Sequence, residues 1–485
     1  MNEPDSLQAR GKERGKLYVN GKNFGKKKKF ELPHIFLLLF CIIVVCTIMT
    51  WILPAGEFER VTEGGRTIVV PGTYHSVEQS PVDLFDMFRQ IYNGFCNAAD
   101  VSMFVFISYA SINIIISSGA FNGLVAFLLK VFKGKSRLVI IPIFLTLVGA
   151  ASSTIGLFEE WFPFIPVFVG ISIAMGYDAV VGLAIVAIGA GMGYSGATIN
   201  PFTVGVAQSI AEVAQGSGIG FRLLCHLCMI VVASILTMRY AAKVAADPTK
   251  SLVYGQDFGH LAMSEDSVKN ARFSIREKLV LLILAAGIVV VVIGCKSYGW
   301  YFGELSAVFM VMGILSAIVM GWGPNAIAKK FEHGFTDVAT ACMMIGLARG
   351  ILMVLQAGNI IDTVVYYMSL PLSAFPAWLC GVAMLAMQTL LNFLIPSGSG
   401  QAATSMPIMA PLADLLGLHR DVAVLAFQFG DGLSNSLWPT GSLPIMVGLA
   451  GVKLEKWWKF FVPIFIALFV TQSLLMILAG VIGFG

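Results

Sequence analysis

The sequence is poor in charge. Only 12% of its 485 residues are Asp, Glu, Lys or Arg, about half the share of an ordinary soluble domain. Hydrophobic residues make up 57% and the mean hydropathy is +0.81, so a soluble multidomain enzyme and a disordered chain are both excluded. The eight cysteines form no zinc-spaced set and sit mostly in apolar runs, which excludes a disulfide scaffold. A net charge of +4, much of it in one N-terminal cluster, gives no nucleic-acid footprint. No His-Glu-x-x-His and no obvious Ser–His pair marks an intramembrane enzyme. Cys225-His226-Leu227-Cys228 lies inside an apolar span without a partner pair, and Lys133-Gly134-Lys135-Ser136 lacks the upstream glycine and strand of a phosphate loop.

What is present is apolar length. A spanning helix takes about 20 apolar residues, and the chain predicts an all-α polytopic membrane protein with about nine transmembrane spans. Residues 1–30 form a polar tail ending in Lys26-Lys27-Lys28-Lys29, cytoplasmic by the positive-inside rule. Spans follow at about 36–53, 101–118, 219–238, 279–295, 303–321, 338–356 and 460–482. The loop 55–81 reads as external and 82–97 as amphipathic. Segment 138–175 is either two full spans or a re-entrant hairpin, and 375–416 is broken in the same way at Pro396-Ser397-Gly398-Ser399-Gly400-Gln401. Segments 179–213 and 421–450 read as discontinuous spans. Basic clusters at Lys130–Arg137, Lys243–Arg276, Lys329-Lys330 and Lys453–Lys459 all fall inside, which puts the C-terminus outside.

The chain repeats itself. Pro166/Pro407, Gly176/Gly417, Gly189/Gly430, Gly191/Gly432 and Ser195/Ser436 recur at an offset of 241, and Gly94-Phe95 matches Gly334-Phe335 at 240. An odd number of crossings separates the copies, so they lie in opposite orientation. Residues 31–242 are repeat 1, 243–276 a cytoplasmic linker and 277–485 repeat 2. Inverted-topology repeats with re-entrant hairpins and discontinuous helices are the pattern of secondary transporters, with the site at the midplane.

Polar residues inside the apolar segments are the candidate site. Glu159 and Glu160 stand where a carboxylate costs ~2.5–3.5 kcal/mol on insertion scales; they read as ligands for an ion or cationic group, or as solvated at an interface. Asp431 is a second proton or cation candidate. Ser153, Thr154, Thr198, Asn200, Ser397, Ser399, Gln401, Asn435 and Thr440 offer hydroxyls and amides at the breaks for a substrate, and Ser152, Gly196, Ser397 and Ser436 are candidates for sodium. Arg349, inside a span, is a charge partner for Glu159 or Glu160 or a carboxylate anchor. Gln356, Gln388, Asn392 and Gln428 are weaker candidates.

Asn392-Phe-Leu-Ile-Pro-Ser-Gly-Ser-Gly-Gln-Ala, Met406-Pro-Ile-Met-Ala-Pro-Leu-Ala-Asp, Phe427-Gln-Phe-Gly-Asp-Gly-Leu-Ser-Asn, Leu53-Pro-Ala-Gly-Glu-Phe, Asn200-Pro-Phe-Thr-Val-Gly and Asp247-Pro-Thr-Lys-Ser-Leu resemble the YfcC branch of the four-carbon dicarboxylate anaerobic carrier family. The resemblance covers nearly the whole chain. It implies the ion-transporter superfamily and elevator-type transport, as an ion-coupled symporter or exchanger of a small carboxylate-bearing metabolite in a bacterial-type inner membrane. It implies two substrate classes, four-carbon dicarboxylates or basic amino acids such as arginine and ornithine; the glutamate pair suits the second. The tips Ser152-Ser153-Thr154 and Ser397-Gly398-Ser399 lack the Asn found at the sodium sites of superfamily relatives. No enzyme activity and no cofactor are expected beyond a coupling sodium ion or proton. The expected partners are the bilayer and the substrate, with a homodimer as an admissible assembly. A passive channel is the rival class, which two hairpins facing opposite sides argue against.

Overall fold

The computed structural model describes residues 33–485 apart from 64–65, 133, 260 and 262–273. The basic tail, Lys133, Lys269 and Arg272, used above to assign sides, therefore lie outside the described residues.

With no water in a bilayer core, backbone groups must pair within a segment, so apolar runs become helices. Among the described residues eight helices are long and apolar enough to cross a membrane. The chain opens with α1 (Ile35–Ile52), followed by two small antiparallel pairs, β1 (Gly56–Glu57) with β4 (His75–Ser76) and β2 (Arg60–Glu63) with β3 (Arg66–Val69). Then come α2 (Leu84–Asn97), α3 (Ala99–Ser117), α4 (Ala120–Val131), α5 (Ile140–Thr154), α6 (Ile165–Ala174), the broken pair α7 (Ala179–Ser195) and α8 (Val204–Ile210), and α9 (Ile219–Ala246). The second half holds α10 (Ile275–Tyr298), α11 (Phe302–Met320), α12 (Pro324–Ala357), α13 (Ile361–Ser369), α14 (Ala377–Leu394), α15 (Gly398–Leu415), the broken pair α16 (Arg420–Ser434) and α17 (Leu443–Leu449), and α18 (Leu454–Val481).

Segment 138–175 resolves as a hairpin. Its first arm, α5 with the turn before it (Ser136–Thr154), is one of those eight by length and composition, but its second arm, α6, has 10 residues, about 15 Å at 1.5 Å per residue, too short for a hydrocarbon core of about 30 Å, so the segment does not make two full spans. The span expected at 338–356 is longer than hydropathy indicated: α12 runs 34 residues back to Pro324, through the charged stretch Lys329 to Asp337, because that stretch packs along α3.

The element order repeats as the residues do. α4 and α13 begin 241 residues apart (361 − 120), as do α7 and α16 (420 − 179), while α3 and α12 end 240 apart (357 − 117). Matched helices run antiparallel, and their contacts are reciprocal. Gly94 meets the backbone of Gly346 and Gly350, and Gly334 meets Ala110; between them Cys342 Sγ lies 3.7 Å from Ser102 O. Across the second pair Ser195 Oγ donates to Phe429 O at 3.3 Å and Ser436 Oγ to Ala187 O at 2.8 Å, with Gly191 against Gly432 between them. In both pairs the centre joins residues that match in the repeat, as a two-fold relation requires.

The two ends of the bundle are distinct. At the cap end, the strands after α1 are tied to the turn after α12: Gly56 N–H donates to Asn359 O at 3.0 Å, and Arg60 pairs with Asp362 at 2.8 Å. The hairpin α14–α15 enters from this end. At the linker end, where α5–α6 enters, Asp178 caps α7 and accepts Tyr240 OH and Ser251 Oγ, each at 2.6 Å.

Candidate substrate site

The first hairpin tip is fastened to the break between α7 and α8. Ser153 Oγ donates to Gly196 O at 3.0 Å, Thr198 N–H donates to Ser153 Oγ at 3.1 Å, and Asn200 Nδ2 donates to Ser152 O at 3.2 Å. Asn200 Oδ1 accepts Phe202 N–H at 2.8 Å, so its amide has both functions engaged. Gly156 turns the tip with φ +87°, and a β-carbon there would stand 2.7 Å from Asn200 Oδ1. Ser153, Thr198 and Asn200, offered by sequence as substrate ligands, are placed behind the wall as this fastening, and line neither cavity described below. Thr154 is exposed and donates to Ala150 O at 2.7 Å.

The residues taken for sodium are engaged elsewhere. Ser152 Oγ accepts the Trp161 indole N–H at 3.2 Å, Gly196 O accepts Ser153, Ser436 bonds across to α7, and Ser397 caps α15 by accepting Gly400 N–H at 3.4 Å. Among the described residues no three His, Cys, Asp or Glu cluster as a metal site.

Two cavities meet at Arg349. The larger, about 520 Å³, is a vestibule opening toward the cap, within the 300–1,000 Å³ usual for small-molecule sites. Glu57 and Arg60 line its mouth, Gln356 and Asn359 its side, and Ser397, Gly400 and Thr404 of the second hairpin its floor. The inner cavity, about 30 Å³, is lined by Glu159, Arg349, Pro396, Thr440, Gly441 and Ser442. Arg349 lines both. It is half-buried, Glu159 acts on it electrostatically, and no ion pair within 4.0 Å or hydrogen bond engages its guanidinium among the described residues. Glu160 is buried behind Glu159, its Oε2 accepting Phe158 N–H at 2.8 Å.

Beneath the second tip lies a polar network. Asn392 Nδ2 donates to Asp431 Oδ1 at 3.0 Å and to Gln401 Oε1 at 3.2 Å, Gln401 Nε2 reaches Gln388, and Asn435 Nδ2 donates to Asp431 O at 2.8 Å. The structure thus brings Glu159, Arg349 and Thr440 to one cavity and Ser397 to the other, and sets Gln401, Asp431 and Asn435 in the network; Ser399 is exposed. Sequence reasoning passed over Glu57, Arg60, Asn359 and Asp362. Asp362, an acid five residues past the end of α12, was the available signal.

A family model described as DcuC, C4-dicarboxylate anaerobic carrier, matches residues 32–481. A Haemophilus influenzae protein named only as uncharacterised is 30% identical over 93% of this chain and 97% of its own length. An Escherichia coli (strain K12) protein provisionally named basic amino acid antiporter YfcC is 27% identical over 94% and 98%. Another from that strain, provisionally named a short-chain fatty acid transporter, is 24% identical over 48% and 52%. Of solved structures, Neisseria gonorrhoeae MtrF, titled among antimetabolite efflux pumps, aligns with 15% identity and a TM-score of 0.42 over 93% of this chain and 95% of that one.

Proposed function

Since the chain belongs to the C4-dicarboxylate anaerobic carrier family and is a multi-pass membrane transporter, we propose that it carries a small carboxylate-bearing metabolite and anchors the carboxylate at Arg349. The observation that carries this reading is Arg349 itself: a cation inside a span, open to two cavities, with no ion pair within 4.0 Å among the described residues. A charge there is expensive and calls for a close partner. Three solute classes are named among the family and the two Escherichia coli relatives: C4-dicarboxylates, basic amino acids and short-chain fatty acids. The group they share is a carboxylate.

We place the protein in a bacterial inner membrane with the cap outside, so the vestibule faces outward. The hairpins and broken helices form the moving body of an elevator, and α2, α3 and α12 its frame. Arg349 captures the carboxylate at the seam. The α15 N-terminus, where Ser397 and Gly400 line the vestibule, offers backbone N–H groups and the positive helix end on the moving side.

A second reading, the basic amino acid, is supported by Glu159, which faces Arg349 across the inner cavity. A zwitterion with a distal cation meets both charges; a dicarboxylate meets only one. The test is binding and uptake of labelled arginine, ornithine, succinate and malate by purified and reconstituted protein. Arg349→Gln lowers affinity for the transported solute about a hundredfold, because removing one partner of a buried charge pair costs about 3 kcal/mol. Glu159→Gln lowers it for arginine and ornithine alone. Normal transport by Arg349→Gln refutes the anchor.

A further inference from the structure

The second hairpin covers a carboxylate with too few hydrogens around it. Asp431 is fully buried. Its Oδ1 accepts from Asn392, while Oδ2 has no hydrogen-bond partner. Asn435 Nδ2 gives to Asp431 O at 2.8 Å and acts on the carboxyl from there; the other donors nearby point elsewhere. Asn392 Nδ2 also gives to Gln401, Gln401 Nε2 gives to Gln388 O and Oε1 at 2.9 and 2.7 Å, and Gln388 Nε2 gives to Ser405 at 2.9 Å. Gln428 Nε2, one turn before Asp431, gives to Thr203 Oγ1 at 2.8 Å and to Tyr194 O. Oxygens are left over: Asp431 Oδ2, Asn392 Oδ1 and Gln428 Oε1 are all buried and unpartnered. Buried polar groups are rarely left so.

We propose that Asp431 is the proton carrier of the transport cycle, a reading that rests on the transport function proposed above and names its coupling ion. A proton on Oδ2 turns an acceptor without a donor into a donor among acceptors. A metal ion is the competing occupant, but it needs room. A β-carbon at Gly398 would stand 2.6 Å from Thr203 Cγ2 and 3.1 Å from Asp431 Oδ2, and Asp431, Asn392 and Gln428 line neither cavity. A proton needs no volume.

The route is short. Ser397 lines the vestibule, and the next residue, Gly398, packs on Asp431. The ionisable groups that act on Asp431 are Glu159 of the first tip and Tyr194 of α7; α14 and α15 present Asn392, Gln388, Gln401 and Ser405, and the α7–α8 break Thr203. The step is an association, carboxylate plus H⁺ giving carboxylic acid, with no other bond changed. It removes the negative charge of Asp431 that an incoming carboxylate would otherwise meet. Proton and solute therefore favour each other's binding, which is coupling.

Infrared difference spectroscopy of the purified protein tests the proton without any solute. Between acidic and basic buffer, wild type shows the C=O stretch of a protonated carboxylic acid; Asp431→Asn lacks that band, and Asp431→Glu, which keeps the carboxyl and serves if the amide variant does not fold, shifts it. A band unchanged in the variants, or one abolished by sodium, overturns the proposal. In proteoliposomes loaded with the probe among arginine, ornithine, succinate and malate that wild type moves, accumulation driven by a pH gradient falls to a ratio of one in Asp431→Asn and is retained in Asp431→Glu. Accumulation surviving in Asp431→Asn also overturns it. Movement of none of the four by wild type counts against the carboxylate reading, while the infrared result stands by itself.

Discussion

Gly94 and Gly350 face each other across the α2–α12 seam, and alanine at the two positions has opposite consequences. At Gly94 the new β-carbon would lie 2.5 Å from Gly350 N, 2.7 Å from Gly346 O and 2.8 Å from Gly350 Cα. All three are backbone atoms and none can swing away. Restoring ordinary contact at 3.4 Å moves the helices apart by about 0.9 Å (3.4 − 2.5), and gaps of 0.5–1 Å forfeit a quarter to a half of each dispersion contact. Overpacking of this kind costs about 1–3 kcal/mol, while replacing a helical glycine by alanine returns about 0.8–1 kcal/mol. The net loss at Gly94 is about 0–2 kcal/mol, toward the upper end because all three close atoms are backbone. At Gly350 the nearest atoms to a new β-carbon are Ile43 Cδ1 and Ile91 Cα at 3.4 Å, so the propensity gain is kept and the variant is neutral or stabilised. Thermal unfolding in one detergent, with solute exchange as a check on the native state, should rank Gly350→Ala at or above wild type and Gly94→Ala below it by about 1–4 °C. If Gly94→Ala melts at or above wild type, the seam does not hold the two repeats in contact as described.

Two further outcomes bear on the frame and the sidedness. Arg222 and Asp421 are both fully buried with nitrogen and oxygen 3.4 Å apart, so Arg222→Met alone should destabilise by about 3 kcal/mol, and Arg222→Met with Asp421→Asn should recover most of it, read in the same unfolding assay; no recovery in the double variant refutes the pairing. On a background without native cysteine, Cys at exposed Thr154 should be labelled from the cytoplasmic side and Cys at exposed Ser399 from the outside; labelling of both from one side refutes the opposed hairpins.

The frame was legible because hydrophobic length and helix length coincide where helices face lipid. The span expected at 303–321 is Phe302–Met320, and the break expected after Gly189 begins at Gly196. The front of α12 was not legible. Residues 324–337 carry Lys329, Lys330, Glu332, His333 and Asp337, so hydropathy ends the span there, yet the helix continues because its other face meets α3 at Gly334 and Ala110. The same charge hid that 324–337 matches the amphipathic stretch 84–97. The repeated Gly-Phe pair did point to it: Gly94 and Gly334 are two of the places where the copies touch.

The site divides differently. Asn200, Arg349 and Asp431 look alike in sequence, each a polar residue at or beside a break in an apolar run. A broken membrane helix needs polar side chains for its own freed backbone groups as well as for a ligand, and residue type does not distinguish these two uses. Hydrogen-bond saturation does. Asn200 donates to Ser152 O and accepts from Phe202 N–H, which leaves the ring of contacts around the first tip complete. Among the described residues Arg349 opens on two cavities with no ion pair, and Asp431 keeps an oxygen with no donor. Arg222 and Asp421 make the same point from the other side. An arginine in the apolar run 219–238 is a functional candidate on residue type alone; Arg222 pairs with Asp421, 199 residues away, at the cap end, with Nη1 left unbonded among the described residues, so its charge joins α9 to α16. Of the three, Arg349 and Asp431 keep capacity for a ligand, and on the proposed reading a carboxylate and a proton take it up.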